Sequence, residues 1–462
     1  MSENKATPVE LGTENIGKLL RSYAVPAIIA MTASSLYNMV DSIFIGQGVG
    51  PLAISGLAVT FPLMNLSTAF GTLVGVGAAT MLSVLLGQKN YAAANKVLGN
   101  IVSLNMIIGL LFMIAALVFI EPILYFFGAS ENTMPYAKEY MTIILYGNVI
   151  SHLYFGLNNA MRASGSPKKA MGLTLFTVIF NTILDPIMIF WMDMGIAGAA
   201  WATVISQTIA MILVMTHFSD RKKLLHFEKG IIRLDVRVAK DSLEIGFGPF
   251  LMNSAACLVT LFINQQLRKY SGDLGIGAYG INNRITFMFA MICMGLNQGM
   301  QPIAGYNYGA RKYSRVKEVY RKTAFLASIV TTACFLISVL LPRYAVGIFT
   351  SDAELMDRAS AGLTIMNMMF PIVGFQMIST NLFQCLGMVQ KSVTLSISRQ
   401  LAFLIPLLYA LPLWLGEKGI WISFPVSDFL ASLLTLFMIM RLFGKFGKLN
   451  DGDDPAILGS KL

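Results

Sequence analysis

The feature that most restricts this chain is a series of apolar stretches, each long enough to cross a membrane and separated by short charged segments. A spanning helix needs about 20 mainly apolar residues. Such stretches run at roughly 17–46, 51–86, 93–120, 134–161, 168–191 and 195–217. A second set runs at roughly 240–268, 274–308, 315–342, 354–386, 390–413 and 418–443. In lipid the backbone must satisfy its own hydrogen bonds, so only helices and closed barrels can span. These runs are too long and too continuous for barrel strands, which leaves an all-α integral membrane protein with twelve transmembrane helices. Only 13% of the residues are charged, against about 25% in soluble domains. A water-facing shell for a core of this size is therefore missing.

The net charge of +10 does not point to nucleic acid, because the basic residues sit in short clusters between the apolar runs. With the amino terminus inside, inner segments hold 27 of the 34 Lys and Arg, and outer segments hold 6. That bias places both termini in the cytoplasm and agrees with an even number of spans. The polar segment ahead of the first span lacks an apolar core, so no cleaved signal peptide is expected. Cys257, Cys293, Cys334 and Cys385 lie inside apolar runs without metal-ligand spacing, which supports neither a disulfide framework nor a metal site.

The two halves repeat at a nearly constant offset. Gly87-Gln88-Lys89-Asn90-Tyr91 is answered by Gly309-Ala310-Arg311-Lys312-Tyr313. Gly165 and Gly387, Lys169 and Lys391, and Asn159 and Asn381 keep that same separation. The reading is two pseudo-symmetric six-helix bundles, residues 1–217 and 240–443. A cytoplasmic linker at 218–239 joins them, and a polar tail follows at 444–462. An even number of spans per half makes this a parallel repeat, the organisation of secondary transporters that bind substrate between pseudo-symmetric halves. With no reactive constellation at the membrane surface, an enzyme is not expected. Glycine-rich nucleotide loops and zinc-protease motifs are also absent, which removes support for ATP-driven transport and zinc hydrolysis.

Charge inside a span is costly and usually functional. The short roster is Asp41, His152, Asp185, Arg284, Arg399 and Asp428, with Glu244 near an inner boundary. Tyr37 and Asp41 are one helical turn apart, as are Asn181 and Asp185, so each pair shares a helix face. Asp41 lies roughly 30 Å past Arg21 and Asp185 roughly 24 Å past Lys169 at 1.5 Å per residue. Both fall in the outer half of the membrane, where Thr203 also arrives from the outer side. A carboxylate pair with amide, hydroxyl and phenol partners is expected there. Two carboxylates in a low dielectric do not readily ionise together, and they suit a proton or an oxygen-coordinated cation such as Na+.

The second half lacks this pair: Asn264 and Leu408 stand at the positions that the repeat matches to Asp41 and Asp185. Arg284 is the odd charge of that half and a candidate for contact with substrate. Asp428 is read as helix-packing and His152 as a hydrogen-bonded interior histidine. Pro26 and Pro249 occupy corresponding places early in the two halves. They can kink the first span of each half and are candidate hinges.

Several segments together resemble the multidrug and toxic compound extrusion (MATE) family over nearly the whole chain. They are Asp41-Ser42-Ile43-Phe44-Ile45-Gly46, Leu86-Gly87, Asn181-xxx-Asp185, Gly195-Ile196-Ala197-Gly198-Ala199-Ala200-Trp201-Ala202-Thr203, and Gln301-Pro302-Ile303-Ala304-Gly305-Tyr306-Asn307-Tyr308-Gly309-Ala310. The resemblance implies export of amphipathic, often cationic, drugs or toxic compounds in exchange for inward H+ or Na+. It implies a bacterial cytoplasmic (inner) membrane location, no cofactor beyond that ion, and a monomer surrounded by membrane lipids. The family's amino-terminal cation site matches Asp41, Asn181, Asp185 and Thr203, with Tyr37 nearby. Where some members carry a glutamate eight positions past the proline of the seventh span, this chain has Cys257, which favours coupling through the first half. A lipid-linked oligosaccharide flippase of related architecture is the alternative, for which Arg284 and Arg399 are the available intramembrane cations.

Overall fold

The computed structural model describes residues 10–228, 234–350 and 352–454. Linker residues 229–233 and tail residues 455–462 lie outside the described residues, and no strand occurs among those described. The helices are α1 (Ile16–Gly48), α2 (Pro51–Gly87), α3 (Tyr91–Val118), α4 (Met134–Tyr146 and Asn148–Ala163), α5 (Pro167–Pro186, continued by Ile187–Trp191) and α6 (Gly195–Ser219). The second set is α7 (Val236–Gly272), α8 (273–309), α9 (Tyr313–Leu340), α10 (Ala353–Met366 and Phe370–Cys385), α11 (Val389–Leu415) and α12 (Glu417–Phe446). Among the described residues, nine helices are long and apolar enough to cross a membrane, and α10 makes a tenth as a pair bent by 55°. The other two expected spans are α4, interrupted at Gly147, and α8, which follows the break at Gly272. The twelve-helix, two-half architecture expected from the hydropathy pattern is thus the observed one.

The repeat extends to the backbone. Lys89 and Arg311 both take positive φ, 60° and 56°, as do Gly165 and Gly387 at 96° and 67°. Asn90 N donates to Leu85 O at 2.9 Å, and Lys312 N donates to Asn307 O at 2.8 Å. Chain reversals that share a strained residue and the same closing bond are expected from a duplicated sequence. Both α5 and α11 widen into π turns, at Ile187–Trp191 and Ser398–Leu404. In α5 the widening begins after Pro186, whose missing N–H interrupts the helical ladder.

The helices form two compact units. Among the described residues, the first holds 10–14 and those within 29–253, and the second holds 15–28 and those within 254–454. The opening turns of α1 thus belong to the second unit, and the opening half of α7 to the first. Glycines permit both arrangements. In the first unit a Cβ on Gly77 of α2 would stand 2.0 Å from Ser242 O of α7. In the second, a Cβ on Gly299 of α8 would stand 2.5 Å from Ala24 Cα of α1. Gly77 and Gly299 are related by the same offset as the rest of the repeat, so the duplicated sequence preserves the same close backbone approach in each unit. Pro26 and Pro249 lie close to the ends of these exchanged segments, at Ile28 and Asn253.

Candidate functional site

A polar cluster lies inside the first unit. Tyr37 and Asp41 project from one face of α1, Asn181 and Asp185 from one face of α5, and Thr203 from α6. The Tyr37 and Thr203 hydroxyls are hydrogen-bonded at 2.9 Å, and Asn181 Nδ2 donates to Thr203 Oγ1 at 3.3 Å. Thr203 is therefore the node joining the three helices. Asp41, Asn181 and Asp185 are buried, with Asp185 fully shielded at 0% exposure. Asp41 lies one helical turn past Tyr37 and Asp185 one turn past Asn181, so both carboxyls flank the Thr203 node. Asp41 Oδ1, Asn181 Oδ1 and both carboxylate oxygens of Asp185 have no hydrogen-bond partner among the described residues. Buried polar oxygens are normally satisfied, and a negative pair without donors is costly in a low dielectric. A set of unsatisfied oxygens in one place fits a proton or a small hard cation.

The five residues singled out in the first half are thus brought together. A sixth belongs with them. Tyr140, on the first segment of α4, is buried and shares a cavity wall with Tyr37, Asn181 and Thr203. An argument from charge and depth could not single it out, because an aromatic residue in an apolar span carries no distinguishing signal.

A cavity of about 340 Å³ opens beside this cluster within the first unit. Tyr37, Tyr140, Asn181 and Thr203 form part of its wall, and Ser67, Asn148, His152 and Gln207 contribute further polar groups. Among the described residues, no Lys, Arg, Asp or Glu lies in the wall. His152 Nε2 lies 3.0 Å from Ser67 O and 3.2 Å from Ser67 Oγ, so this histidine is held by the neighbouring helix. Ser67 also donates to Asn148 Oδ1, and Asn148 Nδ2 donates to Gly109 O at 3.0 Å.

Of the remaining ionisable candidates, Arg284, Arg399 and Asp428 belong to the second unit. Arg284 is exposed on α8 in the second unit and is not part of the cavity wall. Asp428 on α12 accepts from Arg399 Nε at 2.7 Å, and Ser427 donates to Arg399 O at 2.7 Å, which ties α12 to α11. Glu244 is half-buried on α7. Asn264, which stands where the repeat would put the second Asp41, has an Oδ1 without a hydrogen-bond partner among the described residues.

The family model described as MatE matches this sequence twice, over residues 26–187 and 245–410. The chain belongs to the MATE family. Each half carries one copy of the domain, which accords with the internal repeat. Members of this family are multi-pass membrane transporters rather than enzymes. Among curated relatives, the multidrug export protein MepA of Staphylococcus haemolyticus is 27% identical over 428 residues, covering 93% of this chain and 94% of MepA. MepA of Staphylococcus aureus is 27% identical over 425 residues, covering 92% and 94%. Among solved structures, the MATE multidrug transporter DinF-BH in complex with a small-molecule drug is 35% identical, with a TM-score of 0.87 over 93% of this chain and 96% of that one. A multidrug resistance MATE transporter in an outward-facing conformation shares the fold, with a TM-score of 0.88 at 23% identity over 95% and 98% of the two chains.

Proposed function

We propose that this MATE protein is a multidrug exporter that moves amphipathic, often cationic, compounds out of the cell in exchange for inward H+ or Na+. The observation that carries the coupling role is the buried pair Asp41 and Asp185, in which Asp41 Oδ1 and both oxygens of Asp185 lack donors. A proton on either carboxylate, or a cation held by Asp41, Asn181, Asp185 and Thr203, relieves the unpaired charge. Asn181 and Thr203 also border the drug-sized cavity, so the occupancy of one site bears on the other. A ligand shifts an alternating-access equilibrium only by its differential affinity for the two states. Binding of the ion at the carboxylates provides that difference through Tyr37 on α1 and Thr203 on α6.

The wall of the cavity is amphipathic: aromatic and apolar side chains alternate with amides and hydroxyls, with no Lys or Arg among them. This suits neutral and cationic compounds. It argues against the flippase alternative, because a lipid-linked pyrophosphate needs cationic partners. The relatives named for multidrug export, and the related transporter with its bound drug, support the same reading. The distribution of Lys and Arg supports a bacterial inner-membrane topology with both termini, the 218–239 linker and the 444–462 tail in the cytoplasm. The protein is proposed to act as a monomer, with no cofactor besides the coupling ion. Pro26 and Pro249 are proposed to serve as hinges.

The test is efflux of a fluorescent cation from proteoliposomes under a pH gradient alone and then a sodium gradient alone. Asp41→Asn and Asp185→Asn are each expected to abolish the gradient dependence. Full gradient-driven efflux by both variants would sink the mechanism.

A further inference from the structure

A second concavity, of about 490 Å³, lies wholly within the second unit, between the opening of α1, the middle of α8 and the first half of α9. It has two chemically different ends. Arg21 and Lys322 stand at the end nearest the start of α1 and α9, whereas Ile28, Leu296, Phe325 and Ile329 line its continuation. The basic and apolar parts are separated along the helices: Arg21 to Ile28 spans roughly 10 Å at the helical rise.

The basic end is electrostatically asymmetric. Lys322 is paired with Glu318 at 2.6 Å, one turn earlier on α9. Arg21 is exposed and has no acidic partner among the described residues. The ammonium of Lys322 approaches the first turn of α1, where a Cβ on Gly17 would stand 3.7 Å from Nζ. The amino end of α1, capped by the Asn15 side chain on Gly17 N at 2.8 Å, adds the positive end of its dipole. Ile329 and Phe325 are 51% and 67% exposed, so the apolar part opens sideways along its length.

We propose that this groove binds an anionic phospholipid, with its phosphate between Arg21 and Lys322 and an acyl chain along Ile28, Leu296, Phe325 and Ile329. The charge complementarity decides the occupant. A cationic drug is repelled by the basic end, and a zwitterionic lipid gains little there. Basic pockets between membrane helices on the cytoplasmic side are a recurring headgroup site. The proposal rests on the topology given above only for the leaflet, which is the inner one. Because the groove uses the opening of α1, a bound lipid engages the helix that carries Tyr37 and Asp41.

The test is native mass spectrometry of the detergent-purified protein, titrated separately with phosphatidylglycerol and phosphatidylcholine. Wild type is expected to retain phosphatidylglycerol in preference. One cation near a headgroup is worth on the order of fivefold in affinity, so Arg21→Ala and Lys322→Ala should each weaken retention about fivefold. Arg21→Lys should restore most of it, and Lys89→Ala, on an inner loop of the first unit, should change nothing. Ile329→Trp fills the apolar part from its exposed side and should also reduce retention. Equal retention of the two lipids, or undiminished retention by Arg21→Ala and Ile329→Trp, overturns the proposal. The readout involves no transport and no leaflet, so its failure leaves the exporter reading standing, and failure of efflux leaves the lipid site standing.

Discussion

Replacing Thr203 with valine deletes a single hydroxyl and leaves the side-chain shape nearly unchanged. That hydroxyl joins Tyr37 at 2.9 Å and Asn181 at 3.3 Å. A hydrogen bond contributes about 1 kcal/mol net, and a buried donor stripped of its partner costs about 1–3 kcal/mol. Tyr37→Phe removes only the shorter bond, for an expected loss of about 1 kcal/mol. Thr203→Val removes both, for about 2 kcal/mol. The double variant should lose about 2 kcal/mol, the same as Thr203→Val alone, because the Tyr37–Thr203 bond can be removed only once; the coupling is then about 1 kcal/mol. The hydroxyl fixes the groups flanking Asp41 and Asp185, so the loss should appear in the apparent affinity for the driving ion. Efflux in proteoliposomes, measured against ion concentration, should show its midpoint shifted about fivefold by Tyr37→Phe and about thirtyfold by Thr203→Val. Additive shifts in the double variant, or a wild-type midpoint for Thr203→Val, would refute the shared-hydroxyl argument.

Three further outcomes are expected. Asp451 in the tail accepts from Ser314 N at 2.9 Å and from Ser314 Oγ, capping the start of α9 where Lys312 provides no side-chain cap. Asp451→Ala should cost about 1 kcal/mol, seen as roughly fivefold faster amide exchange at 314–316. Burial opposes ionisation of Asp451, but the Ser314 hydrogen bonds outweigh it and hold its carboxyl below the usual 3.8. The cap should therefore be fully present above that value and lost as pH falls through the lower folded value; protection unchanged in acid would exclude it. In the first unit, Gly246→Ala would drive a Cβ to 1.8 Å from Leu73 O, whereas Gly172→Ala meets nothing within 4 Å. The former should destabilise by about 3 kcal/mol or more and the latter should be tolerated, as read from the yield of folded protein. Asp428 is buried, while Arg399 is 32% exposed at its side chain. Asp428→Asn should cost about 1–3 kcal/mol, less than a fully buried pair because water screens the arginine. Melting temperature should recover when Arg399→Gln is added, and a further loss on adding it would contradict the pairing.

Much of the fold was readable because lipid removes alternatives. Apolar runs of this length must become helices, and the breaks between them coincide with the observed loops to within a few positions. The repeat was readable because Gly87, Gly165 and Lys89 stand at chain reversals whose geometry few residues accept. The carboxylates were readable from charge taken with depth and helix face, since burying Asp41 and Asp185 in lipid is expensive enough to mark them. Tyr140 carried no such mark, because phenols are ordinary in these helices. The Asp451 cap was equally hidden: the tail is polar and acidic, and nothing in its sequence names Ser314 as its partner.

The chain's own order of residues determined the number of helices, their pairing by duplication, and the asymmetry that leaves the carboxylate pair only in the first half. These are local properties, decided by hydropathy, charge and spacing along one chain. Tertiary structure decided which hydroxyl links α1, α5 and α6, and that the opening turns of α1 and α7 are packed in the unit opposite to the one their sequence begins. The close approaches at Gly77 and Gly299 depend on atoms far away along the chain, at Ser242 and Ala24. Such contacts arise only when distant helices meet, so no window of sequence contains them.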